Sequence, residues 1–440
     1  MINKTRYTAA AAVLLLLLQG CSSGKEAAVI EEQKGEQQAE SKEPVTLTLF
    51  VQASSANFTE KDFQTFVGDP VAKKYPHITI TYVPKGQGSQ LNDLITAGQT
   101  PDIIYGSLGD LTGLKKMNLL SDLAPLIKSH RFDLGRLDPD ALDNVKANSP
   151  DGQISFMPHA INGAALYYNK DLFDRFGVGY PKDGMTWDEV LDLTRQMSRT
   201  DNGAQYRGFG MDQSFFIQNN QLSLLFADPA TKKALVNGDG WFQWFTTMKR
   251  FYEIDNNKVD DTTKLSNASF LKDKTTAMWA GANLLNVLPE AMAGGLQWDM
   301  VTLPSFREAP GIGIQLNAPF YSISPTSKHK VEAFQVIEVL LSDEVQLVQT
   351  KLGKMTTLKN QDIRSQFASD LSFTSGKNVK AMFAAKAAKP MKPSYYDASI
   401  RSVVSAKFGE VMKGAKDVNT ALREAEDEGN KVIQELATAE

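Results

Sequence analysis

The chain has 440 residues, too long for one ordinary domain and enough for two or three. Its 47 Lys and Arg against 51 Asp and Glu leave a formal net charge of -4, which argues against a nucleic-acid binder. One Cys and 4 His are too few to suggest a Cys/His metal site, and no cofactor motif occurs.

Residues 1–21, MINKTRYTAAAAVLLLLLQGC, set Lys4 and Arg6 ahead of an apolar run at 9–18. That run is too short to span a bilayer as a mature helix and suits the core of a signal peptide. Leu18-Gln19-Gly20-Cys21 is similar to a lipoprotein signal, so residues 1–20 are expected to be cleaved and Cys21 lipidated. The other reading is an ordinary secretion signal with an incidental Cys. With Cys21 lipidated no thiol remains, and hydrophobic cores must hold the fold. Residues 21–44 are rich in Glu, Gln, Ser and Lys and read as a disordered tether.

Order begins at Val45. VTLTLFV alternates and is β-branched, the pattern of a strand. A polar loop and an amphipathic helix from Thr59 follow, with Phe63, Phe66 and Val67 inward and an end near Tyr75 and Pro76. HITITYVP is a second strand, residues 91–97 a short helix, and PDIIYGS a buried strand. Residues 111–127 read as a helix and its landing. Strands alternating with helices predict βαβ units and a mostly parallel sheet. Ligands of such sheets lie beyond the strand C-termini, which points to Gln52, Ser54, Ser55, Tyr105 and Ser107.

Asp151-Gly152 favours a chain reversal, and ISFMPHAING then reads as extended. Pro158 lacks a donor, so this segment is an edge or a crossover. ALYYN is a strand, and KDLFDRFGVG a helix closed by Gly177. Thr186 precedes an acidic turn and an apolar stripe of Val190, Leu193 and Met197, the start of another helix. A helix-rich region is expected next. It includes RGFGMDQSFF, the aromatic stretch 241–251 and SFLKDKTTAMWAGANLLNVL. WDMVTLP is a strand, and GIGIQLNAPFYSIS reads as one return strand. The helix after it presents Val331, Phe334, Ile337, Leu340 and Leu341 on one face.

Taken together, "DG-x-I, then P, then YYNKDLF, then FG, then TWDEV" resembles the lobe-crossing region of bacterial family-1 extracellular solute-binding proteins, the sugar-type receptors of ABC importers. "HITI, then AGQTPDII, then NLLSDLAPLI" resembles the first lobe of that family, and the elements after residue 390 resemble its C-terminal helices. The resemblance covers 45–440. It implies a two-lobe, periplasmic-binding-protein-like α/β fold (type II), each lobe a mostly parallel sheet flanked by helices. It assigns 45–159 and 316–390 to lobe 1, and 160–315 and 391–440 to lobe 2.

The resemblance also implies a site between the lobes. His159 and Asn162 fall at the crossover. Asp212, Gln213, Phe215, Trp279, Asn283, Tyr395, Tyr396, Asp397 and Arg401 come from lobe 2. Aromatic platforms stack on sugar C–H faces, while amides, carboxylates and Arg pair with hydroxyls. The aromatic floor of the maltodextrin-binding members is not reproduced, since Asn283 and Asp397 stand where tryptophans are expected. Trp241 and Trp244 are read as packing residues.

No G-x-S-x-G or H-E-x-x-H motif occurs, so an enzyme is not expected. The implied protein is a monomeric, lipid-anchored receptor on the outer face of the cell membrane. It takes a small solute, expected to be a sugar, and hands it to ABC permease subunits. Two other classes stand beside it: a surface-anchored carbohydrate-active enzyme, and a ligand-sensing lipoprotein without transport.

Overall fold

The computed structural model describes residues 43–52, 58–86, 88–150, 152–263 and 265–438. The expected signal peptide, Cys21, most of the tether, Ser54, Ser55 and Asp151 lie outside the described residues.

Two five-stranded sheets carry the fold. In the first, the order is Ile78–Pro84, Val45–Val51, Ile103–Gly106, Phe320–Ile323 and Met157–Pro158. Val45–Val51 pairs parallel with both of its neighbours, placing Leu49 opposite Ile103. Phe320–Ile323 inserts antiparallel, with Tyr321 opposite Tyr105. Met157–Pro158 is the edge strand, where a residue without an N–H leaves no ladder bond unmade. Helix Lys330–Leu340 packs Phe334, Ile337 and Leu340 onto this sheet, as its apolar face predicts.

The second sheet runs Trp298–Thr302, Ala164–Asn169, Thr276–Ala282, Ala204–Met211 and Arg199–Asp201. All six residues of Ala164–Asn169 are buried, because this strand is covered on both faces. Trp241 and Trp244 of helix Asp239–Tyr252 are buried in its core. The C-terminal helices Asp397–Met412 and Val418–Thr438 complete that core with Ile400, Phe408 and Leu422.

Local signals act as their chemistry requires. Thr59 and Asp62 form a capping box, as do Thr186 and Glu189. Gly177 closes helix Lys170–Phe176 at φ 64°, a left-handed conformation that suits glycine. The helix after Thr59 passes through a π-turn, Gln64–Gly68, just before Pro70, whose missing N–H such a widened turn tolerates.

Three expectations need correction. The sheets are mixed rather than mostly parallel, and in the second only Thr276–Ala282 and Ala204–Met211 run parallel. The cause is partly local: Asn202 and Gly203, at φ 50° and 79°, make a two-residue hairpin that forces antiparallel pairing. RGFGM is strand rather than part of a helical run, with the helix starting only at Gln213–Gln218. Its glycines permit close approach, since a Cβ on Gly208 would lie 2.4 Å from the Thr194 carbonyl oxygen. The single return strand is two. Ile312–Gln315 pairs with Lys386–Ala388, and Phe320–Ile323 enters the first sheet. Pro319, without a donor, lies in the break. Among the described residues no helix is long and apolar enough to cross a membrane.

Candidate functional site

Helix Asp397–Met412 begins at the wall of a cavity of ≈ 280 Å³. Its first turns present Asp397 and Arg401, four residues apart and therefore on one face. Tyr395, just before the helix, forms part of the rim and is 36% exposed. Opposite stands helix Pro139–Asn148, contributing Asn144 and Asn148. Gln315 and Asn317, on and after the Ile312–Gln315 strand, and Asn219, after helix Gln213–Gln218, supply further amides.

These amides are held in place from behind. Asn144 Nδ2 donates to the Leu316 carbonyl at 2.9 Å, and Gln315 Nε2 donates to the Lys389 carbonyl at 2.9 Å. Asn317 Oδ1 accepts from the Leu108 N–H at 3.3 Å. Asn144 is 2% exposed, and its Oδ1 has no partner among the described residues. A buried acceptor left without a donor costs about 1–3 kcal/mol.

Electrostatically the cavity is unbalanced. The Asp397 carboxyl is pushed up to about 6 by burial, although its Oδ2 accepts from the Ser394 N–H at 2.7 Å. Burial lowers the Arg401 guanidinium below its ordinary range, and Asp397 offsets this only in part. No side-chain hydrogen bond or ion pair engages Arg401 among the described residues.

Of the residues picked from sequence, Tyr395, Asp397 and Arg401 meet at this cavity. Gln52 lines an adjoining cavity of ≈ 260 Å³, bounded like the first by Gly109 and Gly113. Asn162 borders a third, of ≈ 250 Å³, and its Oδ1 accepts from the Asn317 N–H at 2.8 Å.

The others are occupied structurally. Ser107 donates to Asp110 Oδ2 at 2.8 Å and starts a helical turn. Tyr105 is buried, its ring centroid 4.7 Å from Phe58 and 5.2 Å from His159. His159 is 2% exposed, edge-on to Tyr105 and Tyr321, and burial pulls its pKa down to about 3. It is a neutral core imidazole whose N–H main chain donates to the Pro319 carbonyl.

Asp212 caps helix Gln213–Gln218, and Gln213 donates to the Ser405 carbonyl at 2.6 Å. Phe215 packs against the second core, 5.3 Å from Phe216. Asn283 donates to the Gly353 carbonyl at 2.8 Å. Trp279 is 3% exposed, and a Cβ at Gly210 or Gly281 would approach within 2.8 Å or 2.7 Å of its indole. It is a core residue seated on two glycines. Tyr396 is 5% exposed and belongs to the second core, not to the cavity.

Sequence reasoning missed Asn144, Asn148, Asn219, Gln315 and Asn317. The polar run Gln218-Asn219-Asn220-Gln221 after an aromatic helix was the one available signal.

Residues 53–347 match the family described as bacterial extracellular solute-binding protein. Among solved structures, an ABC substrate-binding protein from Listeria monocytogenes in complex with cycloalternan is 18% identical. Its TM-score is 0.71 over 89% of this chain and 100% of that one. A sugar transporter from Rhizobium etli, in an open conformation, is 19% identical with TM-score 0.71, covering 88% of this chain and 99% of that one. The sugar-binding protein MalE from Xanthomonas citri is 16% identical with TM-score 0.69, covering 90% and 99%. Likeness of this kind establishes a shared fold.

Proposed function

The chain belongs to the bacterial extracellular solute-binding proteins, and on that premise we propose that it captures an oligosaccharide in the cavity at Tyr395, Asp397 and Arg401. The lobes, 45–159 with 316–390 and 160–315 with 391–440, close around the solute and shift the population toward the closed form. That form delivers the solute to the permease subunits of an ABC importer. The receptor acts as a monomer on the outer face of the membrane, held by lipid on Cys21.

The convergence of Asp397, Arg401 and fixed amides from three distant segments on one cavity carries this reading. Tyr395 adds an aromatic rim to that cavity. Fixed polar groups with one aromatic surface are what a polyhydroxylated ligand demands. The Listeria and Xanthomonas neighbours, described respectively as bound to cycloalternan and as sugar-binding, favour a saccharide.

A thermal-shift screen against mono- and oligosaccharides tests the reading. A bound saccharide recovered chemically unchanged, with affinity reduced in Asn144→Ala, agrees with a receptor. Cleaved product at many turnovers refutes it. The anchor has its own test, since one acyl chain holds marginally and two or more hold stably. Cys21→Ser should move the protein into the soluble fraction, and full membrane retention refutes lipidation there.

A further inference from the structure

We infer that the solute is an acidic oligosaccharide, whose carboxylate or sulfate groups extend from Arg401 into a groove lined by Lys115, Lys146 and Lys392. This rests on the cavity being the solute site.

The groove has a volume of ≈ 550 Å³ and adjoins the cavity, with Pro390 and Pro393 lining both. Lys115 Nζ donates to the Asn148 carbonyl at 2.7 Å, and Asn148 itself lines the cavity. The rim ring of Tyr395 has the Lys116 ammonium 5.0 Å from its centroid. Lys115, Lys146 and Lys392 form no ion pair among the described residues. Cavity and groove together thus line themselves with three lysines and Arg401 against one carboxylate, Asp397.

This excess stands out on a chain whose formal net charge is -4. Uncompensated like charges repel, and Lys115 bears the mark: burial and Lys392 both lower its pKa. Neutral sugars are satisfied by amides, a carboxylate and a stacking ring, and have no charge to set against a lysine row. An acidic saccharide relieves the repulsion along its length. The guanidinium fork of Arg401 matches a carboxylate or sulfate in two-point geometry. The positive groove also raises the encounter rate with an anionic solute.

The experiment pairs each acidic probe with its neutral counterpart. Calorimetry on the folded chain would use oligogalacturonates against their methyl esters, and a sulfated tetrasaccharide against its desulfated form. Neutral gluco- and manno-oligosaccharides are included. The acidic member of one pair should bind roughly tenfold more tightly, less so as salt rises. Which pair responds separates carboxylate from sulfate. Lys146→Ala with Lys392→Ala, both exposed and harmless to folding, should weaken the acidic probe by about threefold per lysine. They should leave neutral affinity unchanged, with thermal melting confirming integrity.

Equal or tighter binding of the neutral members overturns the inference and leaves the receptor reading standing. Absence of binding by every saccharide, acidic or neutral, overturns both. Acidic binding that ignores the lysine substitutions removes the groove from the site. Binding of the Cys21→Ser chain to phosphatidylglycerol vesicles, lost in the lysine variant and without acidic-saccharide binding, assigns the lysines to the membrane and overturns the inference.

Discussion

Tyr395 and Tyr396 are neighbours with opposite fates, and exchanging either for Ala separates binding from folding. Tyr396 is 5% exposed within the second core. Its backbone carbonyl accepts the first helical bond, from the Ile400 N–H at 3.0 Å, so its main chain is fixed at the helix start. Truncating a buried aromatic side chain costs about 3–5 kcal/mol, from lost transfer energy and the cavity left behind. Tyr395 is 36% exposed and stands at the rim beside Lys116. Its truncation should cost about 1 kcal/mol of stability or less. It should, however, remove a stacking surface worth about 0.5–1.5 kcal/mol, a two- to tenfold loss of affinity. Urea unfolding and calorimetry with the saccharide identified by screening measure both quantities. The reasoning is refuted if Tyr395→Ala unfolds as easily as Tyr396→Ala, or binds as tightly as the parent. The sequence reading placed both tyrosines at the site; burial distinguishes them.

Other substitutions probe the core and the charges. Gly210→Ala brings a Cβ within 2.8 Å of the buried Trp279 indole and should destabilise by about 1–3 kcal/mol, with part recovered on adding Trp279→Leu; a neutral result refutes the close-packed seat. The folded pKa of His159 lies near 3, below its unfolded value, so the unfolded chain binds the extra proton. Stability from this group is complete above about pH 6.5 and falls as pH drops toward 3, by on the order of 2 kcal/mol at pH 5. His159→Phe should flatten that part of a denaturation-versus-pH curve, and an unchanged slope contradicts the assignment. Because the Asp397 carboxyl titrates near 6, acidification from pH 7.5 to 5 discharges it and should tighten binding of a sulfated saccharide. Asp397→Asn should bind more tightly at pH 7.5 and lose the pH dependence; weaker binding would show that the carboxylate is needed as an acceptor.

How much of this was legible depends on range. Helix starts at Thr59 and Thr186 and the stop at Gly177 are written within four residues, and they fall where the chain announces them. The same holds for Asp397 and Arg401, whose spacing puts them on one helical face whatever the rest of the chain does. The amides of the cavity are another matter. Asn144, Asn219 and Gln315 come from three distant segments, and Asn or Gln in a turn or at a helix end is commonplace. Only the tertiary path shows that they converge. Trp279 was ambiguous for a further reason. Its strand, Thr276–Ala282, is buried on both faces apart from its last residue, so alternation of polar and apolar residues is missing and cannot indicate which face meets ligand. The flanking Gly210 and Gly281 show that the indole is housed in protein. Sheet polarity was misjudged in part because Asn202-Gly203 is a strong hairpin signal, and in part because the antiparallel pairings of Ala164–Asn169 and Phe320–Ile323 join distant segments.

Phe320–Ile323 lies between Ile103–Gly106 and Met157–Pro158, yet follows both by the whole sequence of the second sheet. This dictates an order of assembly. Every strand of the second sheet falls within residues 164–302 and can pair before the remainder of the chain is present. The first sheet must wait. Its Ile103–Gly106 strand keeps an unpaired edge until the return strand arrives, and closing so long a loop is entropically slow. In the nascent chain that open edge is the surface most exposed to pairing with a neighbour. The rate-limiting step of folding therefore belongs to the sheet that begins first and finishes last, and amides of Ile103–Gly106 should gain protection from hydrogen exchange after those of Ala164–Asn169.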